Sequence, residues 1–148
     1  MRSPLVVTAF LQLAVASSLA GQTTKEVVPI PGAANPVLSA AIKAGGFLFV
    51  SGQLGTIPGG RGLAPGGITA ETRQTLENVK RVVEAAGSSM ERVVKCTVFL
   101  IDIAEFGQMN EVYKTFFPKD PPTRATMAVA GLVLNARIEI ECLALAGK

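Results

Sequence analysis

The chain has 148 residues, 49% of them hydrophobic and 17% charged, with a formal net charge of +3. It is long enough for one domain with a real core, and too apolar for a disordered chain. It holds no histidine, no tryptophan and two cysteines, which excludes histidine triads, a histidine general base and a zinc site built on cysteine and histidine.

Lysine and arginine are scattered, and only Lys80 and Arg81 are adjacent, so no basic stripe points to nucleic acid. The first 20 residues read as separate from the fold. Arg2 supplies a positive charge, residues 5–20 are uncharged and apolar or small apart from Gln12, and Ser18, Leu19 and Ala20 form a small-x-small exit before Gly21. This is the pattern of a secretory signal peptide, and the apolar run is short for a membrane span. The expected organisation is a signal peptide over residues 1–20 and one domain over residues 21–148, exported to the periplasm or secreted, with no membrane attachment after cleavage.

Val27, Val28 and Ile30, ahead of Pro31 and Gly32, predict a short edge strand. Residues 47–51 predict a buried strand entered through the turn residues Gly45 and Gly46, and residues 56–67, rich in Gly and Pro, predict a loop. A helix follows, with Thr69 as cap, Glu71 in the first turn and Gly87 closing it. Its apolar face is Leu76, Val79, Val83 and Ala86. Residues 93–101 predict a central strand. Asp102 and Glu105 then have capping-box spacing. Phe106, Met109, Tyr113 and Phe116 give a second helix its apolar face, and Pro118, Pro121 and Pro122 stop it. Residues 124–129 and 137–145 are two more strands around a loop at residues 131–135. The order is strand pair, helix, strand, helix, strand, strand, which gives an α+β sandwich: one mixed sheet with both helices on one face.

Both sheet faces carry apolar groups. Ile138, Ile140, Cys142 and Ala144 alternate with Arg137, Glu139, Glu141, Leu143 and Leu145, and Cys96, Val98 and Leu100 oppose Thr97, Phe99 and Ile101. Two helices cover one face only, so the other calls for a partner chain.

Three stretches together resemble the Rid family, the reactive intermediate deaminases of RidA type. They are Val50-Ser51-Gly52-Gln53, the helix of residues 72–87 running into Val94-Lys95-Cys96-Thr97-Val98-Phe99-Leu100, and Pro122-Thr123-Arg124-Ala125-Thr126 leading to Ile138-Glu139-Ile140-Glu141. The likeness runs from about Val27 to the C-terminus in order and spacing. It implies a chorismate-mutase-like fold, a homotrimer with clefts between subunits, and cofactor-free hydrolysis of imines and enamines to 2-keto acids and ammonia. Carried over by position, Arg124 matches the arginine that grips the substrate carboxylate, a task suited to a planar guanidinium. Thr126 matches a small polar residue nearby, Asn110 a helix asparagine and Gly52 a cleft-lining backbone position. Glu139 matches the glutamate that orients water, with Glu141 on the same face as its competitor.

There are two departures. Many Rid proteins have a tyrosine where this chain has Leu38, and the only tyrosine here, Tyr113, reads as a core residue of the second helix. The signal peptide is the other. Cys96 and Cys142 fall on strands that the family fold sets side by side, both toward the helices, as buried thiols or as a disulfide, without a catalytic role. The same cleft holding a small carboxylate without turnover is the alternative function. Nuclease activity finds no support in the scattered charge, and chorismate mutase chemistry rests on fold analogy alone.

Overall fold

A computed structural model describes residues 24–31, 36–60 and 62–147, so the expected signal peptide lies outside the described residues. In chain order the strands are β1 (Glu26–Val27), β2 (Ala41–Ala44) and β3 (Phe47–Leu54), then helix α1 (Gly67–Ala85), β4 (Val93–Leu100), helix α2 (Phe106–Phe116), β5 (Thr123–Ala128) and β6 (Ile138–Leu145). They form one six-stranded mixed sheet in the order β1-β2-β3-β6-β4-β5. Only the β4–β5 pairing is parallel. The α+β expectation of a mixed sheet with two helices holds.

β2 is an addition to the expected strand pair. Its residues, Ala-Ile-Lys-Ala, have little intrinsic strand preference. The turn makes it a strand: Gly45 and Gly46 sit at φ 58° and 81°, the two positive values that a tight hairpin demands, and fold β2 back onto β3.

The start of α1 also differs from expectation. Gly66, at φ 120°, is the N-cap and no side chain caps the helix, so Thr69 lies within the first turn. Glu71 is buried and accepts the Arg137 backbone N–H at 2.8 Å. The C-terminus closes as expected. Gly87, at φ 77°, donates to Glu84 O at 2.9 Å, and Ser88 donates to Val83 O at 3.0 Å, which satisfies two terminal carbonyls. Asp102 does cap the short turn Ile103–Glu105, accepting from Ala104 N–H at 2.9 Å. Glu105 does not complete the box. Its carboxylate takes the Arg137 guanidinium instead, with Nε at 2.9 and 3.0 Å from its two oxygens and Nη2 on Oε1. A charge-assisted fork outcompetes one backbone N–H.

The core lies between the helices and one sheet face. Leu76, Val79 and Val83 of α1 and Met109 of α2 are buried with Leu48, Val98, Leu100, Ile138 and Ile140 of the sheet. Cys96 and Cys142 stand opposite each other in the β4–β6 register, 4.1 Å apart at Cα, and are joined as a disulfide. Of the two states open from the sequence, the bonded one is present. The other sheet face has no helix, and Phe47, Phe49, Met127 and Leu145 stand on it exposed. No described helix is long and apolar enough to cross a membrane.

Candidate active site

Arg124 is the second residue of β5, just after the Pro121-Pro122 break. It pairs with Cys96 in the parallel ladder, so its side chain rises on the helix side. Three residues of α2 meet it there. Asn110 Oδ1 accepts from Nη2 at 2.9 Å. The ring centroids of Tyr113 and Phe106 lie 4.4 and 5.4 Å from the guanidinium carbon. Positions 106, 110 and 113 are spaced four and three apart, so they form one stripe on the helix. Among the described residues the guanidinium makes no second hydrogen bond, and most of its donors stay available. Burial pushes the Tyr113 phenol up to about 12, opposed by the Arg124 charge. The Tyr113 hydroxyl and Thr126 Oγ1 are both buried without a hydrogen-bond partner among the described residues. A cavity of about 320 Å³ opens at this point between Arg124, Asn110, Tyr113, Phe117 and the two prolines.

Gly52 and Glu139 make a second cluster. The β3–β6 register shifts between Val50 and Gln53, placing a bulge at Ser51 and Gly52. A Cβ on Gly52 would stand 2.8 Å from Glu139 Cδ and 3.1 Å from Cγ, because the glutamate fills the space a side chain would need. The glycine is thus required by close approach rather than by a special backbone angle. Burial, and then the neighbouring Glu141 charge, raise the Glu139 carboxyl above its ordinary range. Such a carboxyl is better matched to proton transfer near neutral pH than a fully solvated one. Glu141 lies on the same face opposite Thr97, and borders a hollow of about 360 Å³ with Phe49, Ser51 and Lys95. Ser51 Oγ donates to Ser39 O at 2.7 Å, which ties the segment carrying the exposed Leu38 to the bulge.

Arg124, Asn110 and Thr126 are therefore brought together on the helix side. Gly52, Glu139 and Glu141 share the helix-free face, since Glu139 opposes Phe99 while Ile138 and Ile140 point into the core. One chain carries the two halves on opposite faces of its sheet. The roles of Phe106 and Tyr113 beside Arg124 were missed. Their spacing with Asn110 was the available signal, but it coincided with the apolar periodicity of the helix. No group of three or more Cys, Asp or Glu among the described residues is placed to hold a metal ion.

The chain is similar to proteins named for an activity. The 2-iminobutanoate/2-iminopropanoate deaminase of Rattus norvegicus is 46% identical over 100 residues, covering 68% of this chain and 73% of that protein. Reactive Intermediate Deaminase A, chloroplastic, of Arabidopsis thaliana is 39% identical over 135 residues, covering 91% of this chain and 72% of its own length. Among solved structures, E. coli TdcF with bound serine superposes with a TM-score of 0.73 at 37% identity, over 82% of this chain and 97% of that one. Residues 30–146 match the profile of the family described as Endoribonuclease L-PSP, and with these identities across one shared fold the chain belongs to that family.

Proposed function

We infer that this protein hydrolyses reactive 2-imino and enamine acids to 2-keto acids and ammonia. The observation that carries this is a carboxylate anchor held ready by Asn110, together with a partly desolvated carboxyl seated against Gly52, in a chain 39% and 46% identical to named deaminases. Arg124 binds the substrate carboxylate through the donors that Asn110 leaves open. Ionised Glu139 takes a proton from water as its oxygen bonds to the imine carbon. Glu139 returns that proton to the imine nitrogen to give the carbinolamine, then takes the carbinolamine hydroxyl proton and passes it to the amino nitrogen, so that the C–N bond breaks, ammonia leaves and the carbonyl forms. Residues of this chain supply every step. The family description names a nuclease, but the dispersed charge and the two-carboxyl face give RNA cleavage no footing.

The opposite-face placement of Arg124 and Glu139 supports a composite site in which one subunit's Arg124 meets another's Glu139, the homotrimer being the assembly expected. Export through residues 1–20 is supported by their composition and by the disulfide, a bond that persists in oxidising compartments. N-terminal sequencing of protein purified from the whole culture of the producing cell should begin near Gly21, and protein found only inside the cell with Met1 retained would overturn export.

The test is release of keto acid from freshly generated 2-iminopropanoate, with pyruvate binding measured beside it. Arg124→Ala should lose both, and Arg124→Lys should lose more than about tenfold in kcat/KM. Glu139→Gln should keep pyruvate binding and lose turnover, whereas Glu141→Gln should be mild. Mixing Arg124→Ala with Glu139→Gln should restore part of the activity, because mixed assemblies contain some clefts with both native residues. A wild type that binds pyruvate without turnover would favour the small-carboxylate binder, the reading that Leu38 in place of the tyrosine supports.

A further inference from the structure

We infer that Tyr113 is a positioning residue for the reaction: its ring, with that of Phe106, holds the Arg124 guanidinium in one plane so that its free donors meet the substrate carboxylate. This rests on the deaminase reading above and assigns a role to a residue that sequence periodicity places simply in the core. The guanidinium carbon lies 4.4 Å from the Tyr113 centroid and 5.4 Å from that of Phe106. A single hydrogen bond, Nη2 to Asn110 Oδ1, would leave the group free to rotate about that contact. Two ring contacts remove that freedom, and the ring electrons attract the cation as well. Phe117 braces the tyrosine in turn, with ring centroids 4.8 Å apart and planes tilted by 38°.

The hydroxyl does not account for a tyrosine at this position. It is buried, finds no partner among the described residues, and contributes only its desolvation cost. The ring is therefore the functional part. Phe106, Asn110 and Tyr113 form one stripe of α2, so the helix presents a preformed cradle to a residue on a different element. Preorganisation of this kind lowers the cost of binding without adding a contact to the ligand.

The experiment compares Tyr113→Leu, Tyr113→Phe and Phe106→Leu in the full chain. KM and kcat for 2-iminopropanoate and the dissociation constant of pyruvate are measured for each. Tyr113→Leu should raise KM and weaken pyruvate about threefold to tenfold, with kcat changed by less than about twofold. Tyr113→Phe should restore the wild-type KM. Phe106→Leu, on a ring 38% exposed and so less costly to the fold, should move KM the same way by a smaller factor, and it decides the matter if Tyr113→Leu fails to fold. The split between KM and kcat separates this from a packing role, and a spectroscopic arm checks the contact itself. Tyr113 is the only tyrosine and the chain has no tryptophan, so Arg124→Ala should visibly change the near-ultraviolet tyrosine signal. An unchanged signal, or a folded Tyr113→Leu with wild-type KM and pyruvate affinity, overturns the inference while the deaminase reading stands. A wild type that neither binds pyruvate nor turns over overturns both.

Discussion

Replacing Gly52 with alanine probes the base without touching its chemistry. The new Cβ would overlap Glu139 Oε1 and begin 2.8 Å from Cδ, whereas carbon atoms settle at about 3.5–4.0 Å, so the carboxyl must retreat by at least about 1 Å. The fold should tolerate this. The displaced atoms are the far end of a flexible side chain, Gly52 has no left-handed φ, and exchanging glycine for alanine at a permissive angle contributes about 0.4–1 kcal/mol through the unfolded state. Catalysis should not tolerate it, because a misplacement of about 1 Å at a reacting group can cost about 100-fold. Purified Gly52→Ala should thus keep its thermal midpoint, and its pyruvate affinity should change far less than kcat because the Arg124 side chain that grips the carboxylate is not displaced, while kcat for 2-iminopropanoate falls by about 100-fold. Introduced into Glu139→Gln, where no base remains to be misplaced, the same change should cost little more. A well-folded Gly52→Ala with native kcat would refute the placement of Glu139 as base, and so would a loss confined to KM.

Two further outcomes follow from the electrostatics and the covalent link. Because the Glu141 charge helps raise the Glu139 carboxyl, turnover should climb with pH through a midpoint above the ordinary glutamate range, and Glu141→Gln should move that acid limb to lower pH; an unmoved limb or an upward shift counts against the coupling. The disulfide closes a sequence separation of 46 residues, which corresponds to about 4 kcal/mol of unfolded-state restriction. Thermal unfolding with and without reductant should differ by more than about 10 °C, and a difference below about 3 °C would show that the bond contributes little.

The elements that sequence patterning located well are those whose burial and periodicity agree. Leu76, Val79 and Val83 repeat at helical spacing and are all buried, and Ile138, Ile140 and Cys142 alternate along β6 with every member in the core. Patterning failed where a non-local partner decides the outcome. β2 has no strand signature and is held by the hairpin to β3. Glu105 has the spacing of a capping box but answers to Arg137, 32 residues away. At the site, the residue types that can hold a carboxylate or move a proton were legible. Alternation along the last strand already set Glu139 opposite the helix-side residues, but the face of Arg124 follows only from the register of β5 on β4, a non-local pairing. Tyr113 was hidden because a ring that supports a cation and a ring that fills a core obey the same helical period.

The disulfide has a consequence for motion as well as for strength. It runs across the strands, and the residues paired on either side of it form one row, Val50, Cys142, Cys96 and Arg124. β4 and β6 cannot part while it stands, so within a single chain opening must begin outside that welded pair. Glu139 belongs to β6, inside the weld, whereas Arg124 belongs to β5, an outermost strand held by one neighbour only. In hydrogen-exchange terms Glu139 should sit in the slowest-opening part of the sheet and Arg124 in a faster one. On the proposed reading the residue that activates water rides on the welded strand, whereas the strand of the carboxylate anchor opens sooner and leans on the α2 cradle to keep the guanidinium in place.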